Sequence, residues 1–307
     1  MRTFVGVTDY NWFRFLSAAQ PDEVNFWQPK TKFHFHKLNP GELFLFKLKA
    51  PRNAIAGGGW FVRQAFLPAS LAWDAFGQKN GRRSFDEFLT AIYGLRGTDR
   101  LREPDPIISS LILTEPFFLP ESQWIPVPSN WAPNLVQGRG YDAAQAEGRQ
   151  LLDAVNERLR YATQLREQAP TDQPRYGEAQ LTYPRLGQGA FRVVVTEAYH
   201  RRCAISNERT LPVLSASHIR PYAKDGPHLP SNGLLLRQDI HTLFDRGYIT
   251  VNEDYVIEVS NRIKDDYGNG KAYYAYRGLL LPNLPDSPSD RPSRGFLRWH
   301  NEHVYVG

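Results

Sequence analysis

Between Ala169 and Pro174 the chain reads Ala-Pro-Thr-Asp-Gln-Pro, and this short polar stretch constrains the fold more than any other segment. Two prolines forbid a helix from running through it, and it offers no large apolar side chain to bury. The sequence on its two sides is unlike. Upstream, from Arg2 to about Trp131, short apolar runs alternate with Pro and Gly, whereas after Pro133 the chain turns to Ala, Gln, Glu and Arg. At 307 residues the chain is long for one domain and comfortable for two. The expected architecture is α+β, with a strand-rich domain over 1–135, a helical linker over 136–180 and a second domain over 181–307.

The runs Leu43 to Leu48 and Ile107 to Leu113 have the composition of buried strands. Asn39-Pro40-Gly41, Gly57-Gly58-Gly59 and Asn80-Gly81 read as the turns between them. One helix is signalled inside this domain, where Ser84 and Glu87 form a capping box ahead of Phe85, Phe88, Leu89 and Ile92. In the linker, Leu152, Val155, Leu159 and Ala162 recur at helical steps, predicting a helix from near Asp142 to before Pro170. Further on, the pattern predicts a helix over Phe191 to Arg202 and a β-hairpin region over Leu211 to Ile219. A helix around Asp239 to Phe244 and strands at Tyr248 to Val251 and Tyr255 to Val259 complete the set.

No apolar run is long enough to span a bilayer, which argues against a membrane protein. The opening Met1 to Val7 reads as strand rather than as a charged leader with a cleavage site, so the expected location is the cytoplasm. Cys203 is the single cysteine, which rules out an intramolecular disulfide and a multi-Cys zinc site. The net charge of +5 permits a polyanionic partner without requiring one. Its distribution is more telling. Between Arg185 and Arg246 nine Lys and Arg face five Asp and Glu.

Within that basic stretch lies the strongest chemical signal. His218 ends the β-prone Ser215-Ala216-Ser217-His218-Ile219; Asn232 follows fourteen residues later, His241 nine after that, and Asp245 four further. A His and an Asp at i and i+4 share one helix face and can converge on a cation. Imidazole and carboxylate together suit a divalent metal such as Mg, Mn, Ni or Zn. Hydrolysis of a phosphodiester needs a base for water and a cation for the developing charge. His218 can supply the first and the His241/Asp245 pair the second. Arg220 and Lys224, next along the loop, either grip phosphate or form no more than a solvated basic loop.

These residues, with Asn232-Gly233-Leu234 and His241-Thr242-Leu243-Phe244-Asp245-Arg246-Gly247, resemble the signature of HNH endonucleases with a ββα-metal fold. The resemblance spans roughly Phe191 to Val259. It implies that His218 is the general base, that Asn232 orders the loop and orients that base, and that His241 binds one metal ion, with Asp245 at a further ligand position. Many relatives carry Asp or His just before the base, where this chain has Ser217. Relatives also often hold a structural zinc on two Cys-x-x-Cys pairs. Only Cys203 of Cys203-Ala204-Ile205-Ser206 is present here, so packing is expected to replace that staple.

The first domain resembles the PUA superfamily, whose EVE, YTH and SRA members take a flipped, modified base into an aromatic pocket. The likeness rests on a barrel-like strand pattern, Asn25 to Pro29, the Pro40-Gly41-Glu42 turn and Ile55 to Phe61. Tyr10, Trp12, Trp27 and Trp60 are its candidate pocket rings, the alternative for each being a place in the core. Together the two resemblances imply a modification-dependent restriction endonuclease acting on double-stranded, modified DNA in phage defence. Cutting both strands with one site per chain points to a homodimer. Two alternatives stand: a nuclease whose first domain senses sequence, phosphorothioate or a protein, and a DNA-binding module with an inactive nuclease.

Overall fold

The structure is a computed structural model that describes residues 1–31, 34–132, 134–135, 137–167 and 186–307. It divides into two compact units, 1–185 and 186–307. The polar stretch Ala169 to Pro174 lies outside the described residues. No helix among the described residues is long and apolar enough to cross a membrane.

The first unit runs β1 (Arg2–Thr8), α1 (Tyr10–Ala19), β2 (Glu23–Gln28), β3 (Leu43–Leu48), β4 (Ala54–Pro68), α2 (Ala69–Phe76), α3 (Phe85–Arg96), β5 (Ile107–Phe118), β6 (Ile125–Pro126), β7 (Gly138–Asp142) and α4 (Ala146–Glu167). Its sheet is ordered β2-β5-β4-β3-β1-β7, with β6 paired to β4. Among the described residues only the β1–β3 pair is parallel. Strand alternation gives this sheet two apolar faces. Phe4, Phe44, Phe46 and Leu48 pack with Trp12, Phe13 and Leu16 of α1, whereas Val5, Leu43 and Leu45 pack with Leu151 and Val155 of α4.

That double coverage bears on the expected barrel. No ladder joins β2 to β7 among the described residues, so the sheet is mixed and open rather than closed. A small closed barrel points one face inward to fill itself, whereas here each face is covered by its own helix. The glycines of Gly57-Gly58-Gly59 form no turn either; they sit inside β4. A Cβ on Gly57 would stand 2.2 Å from the Phe117 carbonyl oxygen, and one on Gly58 2.7 Å from that of Phe44. Glycine is therefore needed there for close approach of neighbouring backbones, where the ladder also shifts register between Gly58 and Trp60. Half of the expected capping box forms: the Glu87 amide donates to Ser84 Oγ at 3.2 Å, but the Glu87 carboxylate accepts from the Arg83 amide at 3.2 Å rather than from that of Ser84, and α3 buries Phe88, Leu89 and Ile92.

The second unit contains α5 (Gln188–Ala198), β8 (Leu214–His218), β9 (Gly233–Arg237), α6 (Gln238–Asp245), β10 (Ile249–Val251), β11 (Ile257–Val259), α7 (Arg262–Tyr267), α8 (Lys271–Tyr274) and α9 (Arg294–His303). The expected local hairpin over 211–219 is absent. Leu211–Val213 is a 3-10 turn, and β8 pairs antiparallel with β9 across a long loop, Ser217 opposite Leu234 and His218 opposite Gly233. The pairing partner is remote because β9, whose Leu234, Leu235 and Leu236 are all buried, is the strand able to carry β8 into the core. α5 packs on this pair through Phe191, Val195 and Tyr199. A Cβ on Gly233 would meet Val195 Cγ2 at 2.5 Å, so the glycine of Asn232-Gly233-Leu234 is what lets α5 close down.

His300 is 2% exposed. Its ring stacks on Phe244 at 3.8 Å, with Nδ1 2.8 Å from Thr250 Oγ1 and Nε2 3.1 Å from the Phe244 carbonyl. Burial pushes its pKa down from 6.5 to about 4. The unfolded chain then binds the extra proton first, so stability is retained above about pH 6.5 and falls as the pH drops towards 4. At 1.36 kcal/mol per unit the loss is about 3 kcal/mol. Urea titrations at pH 7 and 4 should show the gap between the native protein and His300→Phe narrowing by about that amount. A constant gap would contradict the assignment.

Candidate active site

β8, β9 and α6 form a ββα unit, and the loop from Ile219 to Asn232 is closed by one buried side chain. Asn232 is fully buried. Its amide oxygen accepts from the Arg220 N–H at 2.9 Å, and its amide nitrogen donates to the carbonyls of Arg220 at 2.9 Å and Pro227 at 3.0 Å. Each bond removes a backbone group from water that the loop would otherwise strand, which fixes the loop between His218 and β9.

His218 ends β8, half-buried. Its ring lies flat on Phe191 of α5 at 3.9 Å and 12°, and its Nε2 is 2.9 Å from Nδ1 of His228. Burial, then the neighbouring His228 and His241, push its pKa down to about 4, so the ring is neutral across neutral pH. His228 in turn stacks on Tyr222 at 4.6 Å and 12°.

The alternation of β8 places Ser215 and Ser217 on the side towards α6. Ser215 Oγ lies 2.6 Å from His241 Nδ1, and Ser217 Oγ donates to Asp245 Oδ1 at 3.4 Å. His241 Nε2 stands 3.2 Å from Asp245 Oδ2, one helical turn away. Among the described residues no group of three His, Cys, Asp or Glu side chains is arranged to hold a metal. The pair nevertheless suits a cation. If Nδ1–H donates to Ser215, Nε2 turns a lone pair towards a carboxylate, an arrangement relieved by positive charge between them. Ser217 reaches Asp245 with a hydroxyl where an acidic or imidazole side chain would have added a third strong donor.

Arg220 Nε donates to the Lys224 carbonyl at 2.6 Å, and its guanidinium lies 5.5 Å from the Trp299 ring of α9. Lys224 is exposed beside it. Cys203 is buried and its sulfur accepts from the amides of Ser206 and Arg237, each at 3.3 Å, tying the Cys203 turn to the end of β9.

The first-unit aromatics do not share a pocket. Trp12 is 3% exposed and packs edge-on to Phe26 and Phe46, so it belongs to the core. Tyr10 packs on the same α1 side, with the Arg52 guanidinium 3.5 Å from its ring. Trp60 packs with Phe117 on the opposite face of the sheet. Trp27 sits edge-on to Phe88 and donates its indole N–H to the Asn80 carbonyl at 2.9 Å. The four were grouped by aromatic character, but α1 carries Tyr10 and Trp12 over one face of the sheet while Trp60 on β4 points to the other. Conversely, sequence reasoning passed over His228, Phe191 and Ser215. Ser215 had a signal, because it sits two residues from Ser217 on the same strand face. His228, inside a loop, carried no periodic mark, and the helical spacing of Phe191 with Val195 and Tyr199 marked it for the core without pointing to His218.

Residues 203–252 match the family model of HNH endonucleases, a span that contains His218, His228, Asn232, His241 and Asp245. The second unit thus carries an HNH endonuclease domain. None of the curated proteins matches the chain. Among solved structures, a mutant form of the ZmASCH protein from Zymomonas mobilis is 9% identical, covers 50% of this chain and 96% of that one, and has a TM-score of 0.33. A second ZmASCH mutant has the same identity and TM-score and is covered over 95% of its length. The modification-dependent TagI restriction endonuclease is 13% identical over 92% of this chain and 75% of that one, with a TM-score of 0.29.

Proposed function

We propose that this chain is a metal-dependent endonuclease that hydrolyses phosphodiester bonds in double-stranded DNA, with His218 as general base and His241 and Asp245 as the cation's protein ligands. The observation that carries the reading is the Asn232 clasp: one buried side chain closes the loop behind His218, inside a ββα unit that coincides with the HNH match. His218 is uncharged at neutral pH and takes the proton of the attacking water. A divalent cation, Mg, Mn, Ni or Zn, bound by the pair would neutralise charge on the phosphate in the transition state. Arg220, anchored by Lys224 and Trp299, offers its guanidinium to a neighbouring phosphate, with Lys224 beside it.

In this reading the first unit recognises modified DNA and confines cleavage to it. What supports that is chemical economy, since an unguided nuclease would attack its own genome, and the partly exposed rings of Tyr10, Trp27 and Trp60, each able to stack on a base. Tyr10 and Trp60 lie on opposite faces of the sheet, so the three rings cannot all meet one base, and Trp12 is not among them. The expected setting is cytoplasmic defence against phage, with two copies needed to cut two strands.

The test of the metal assignment is calorimetry with Mn. His241→Ala and Asp245→Ala should each weaken Mn affinity by about 10- to 100-fold, and raised Mn should restore part of the cleavage. Native affinity in both variants would remove the ligand roles.

A further inference from the structure

His218 cannot use both ring nitrogens alike. Nε2 is engaged 2.9 Å from His228 Nδ1, while Nδ1 makes no hydrogen bond among the described residues. The contact needs one proton between the two nitrogens. If His228 donates it, the neutral His218 must carry its own proton on Nδ1 and has no lone pair left for water. If His218 donates it, Nδ1 is the free base, and both rings take the Nε2–H form, the commoner form of a free neutral histidine side chain.

The surroundings hold His228 in place against His218. Tyr222 stacks flat on its ring, and the carbonyl of the preceding residue, Pro227, is one of the groups Asn232 clasps. Phe191 fixes the other side of His218 by stacking. The Asn232 clasp therefore reaches the base through His228 as well as through the backbone of Arg220.

We propose that His228 is a positioning residue for His218: its Nδ1 accepts the Nε2–H of His218, holds that ring in the Nε2–H tautomer, and leaves Nδ1 as the atom that takes the proton from water. The inference rests on the reading of His218 as general base. No bond forms or breaks at His228. The proton taken by His218 Nδ1 leaves a cation whose Nε2–H is already hydrogen-bonded, which stabilises it.

Two measurements on the full chain decide the matter. Long-range nitrogen–proton NMR of histidine-labelled protein at neutral pH reads tautomers without any substrate. The native spectrum should show His218 as Nε2–H, and His228→Ala should convert it to a mixture. A native His218 in the Nδ1–H form, or a spectrum of His218 unmoved by His228→Ala, overturns the proposal. Cleavage of plasmid DNA carrying modified cytosines, with Mn, then separates the two ideas. His228→Ala should lower kcat by about 10- to 100-fold with KM unchanged. Added imidazole should restore part of the loss, and His228→Gln, which keeps an acceptor, should retain most of the activity. If His218→Ala still cuts, the base assignment itself has failed. If His218→Ala is inactive while His228→Ala matches the native rate, only the positioning role falls.

Discussion

His218→Ala is expected to lower DNA cleavage by about 10²- to 10⁴-fold, the usual contribution of a positioned general base, while binding of DNA and of Mn stays near native. The selectivity of that loss follows from where the side chain lies. His218 touches Phe191 and His228, whereas the His241/Asp245 pair is held by Ser215 and Ser217. Removing the imidazole therefore leaves the cation pair and its hydroxyl partners in place. Some stability will be lost with the stack on Phe191, so thermal unfolding belongs beside the kinetics. Single-turnover rates at saturating DNA isolate the chemical step from binding. Cutting within a few-fold of native by a folded variant would end the base assignment, and a variant that also loses Mn affinity would show that His218 is a ligand instead.

Much of this site was legible in the sequence because its parts obey local rules. The i, i+4 spacing of His241 and Asp245 holds within one helix, and Asn232-Gly233 precedes a strand of three buried leucines, so their placement needed no knowledge of distant contacts. The same locality explains the successes in the first unit: Leu43–Leu48 is a strand and Ser84 caps a helix as their own residues dictate. What escaped were relations between segments. Gly57 to Gly59 looked like a turn because glycine permits one, but here it serves the approach of Phe44 and Phe117 from neighbouring strands. His228 and His300 stand outside the spacing of the motif, yet one faces His218 and the other sits under Phe244, partners ten and 56 residues away. The aromatic quartet divides for the same reason, since α1 packs Trp12 on one face of the sheet and β4 turns Trp60 to the other.

The other large effect concerns where the first unit ends. Residues 1–135, the span that the change of composition suggests, lack both β7 and α4. β7 pairs with β1 from Arg2 to Gly6, and α4 lays Leu151 and Val155 on the cluster of Val5, Leu43, Leu45 and Ile55. Burying those two side chains is worth about 1.5–3 kcal/mol each, and a domain has only about 5–15 kcal/mol in all. The protein cut at 135 should therefore be largely unfolded or aggregated, with the freed β1 edge and an uncovered apolar face exposed. Residues 1–185 should instead unfold cooperatively, as circular dichroism in urea will show. That longer piece is the one on which to test DNA reading. At fixed salt it should bind a duplex containing a modified cytosine more tightly than the unmodified duplex. Phosphate contacts alone would give equal, steeply salt-dependent affinities for both. Equal binding by a folded 1–185 would remove modified-base recognition and leave the nuclease assignment untouched, whereas a stable, cooperative 1–135 would show that α4 is a linker after all.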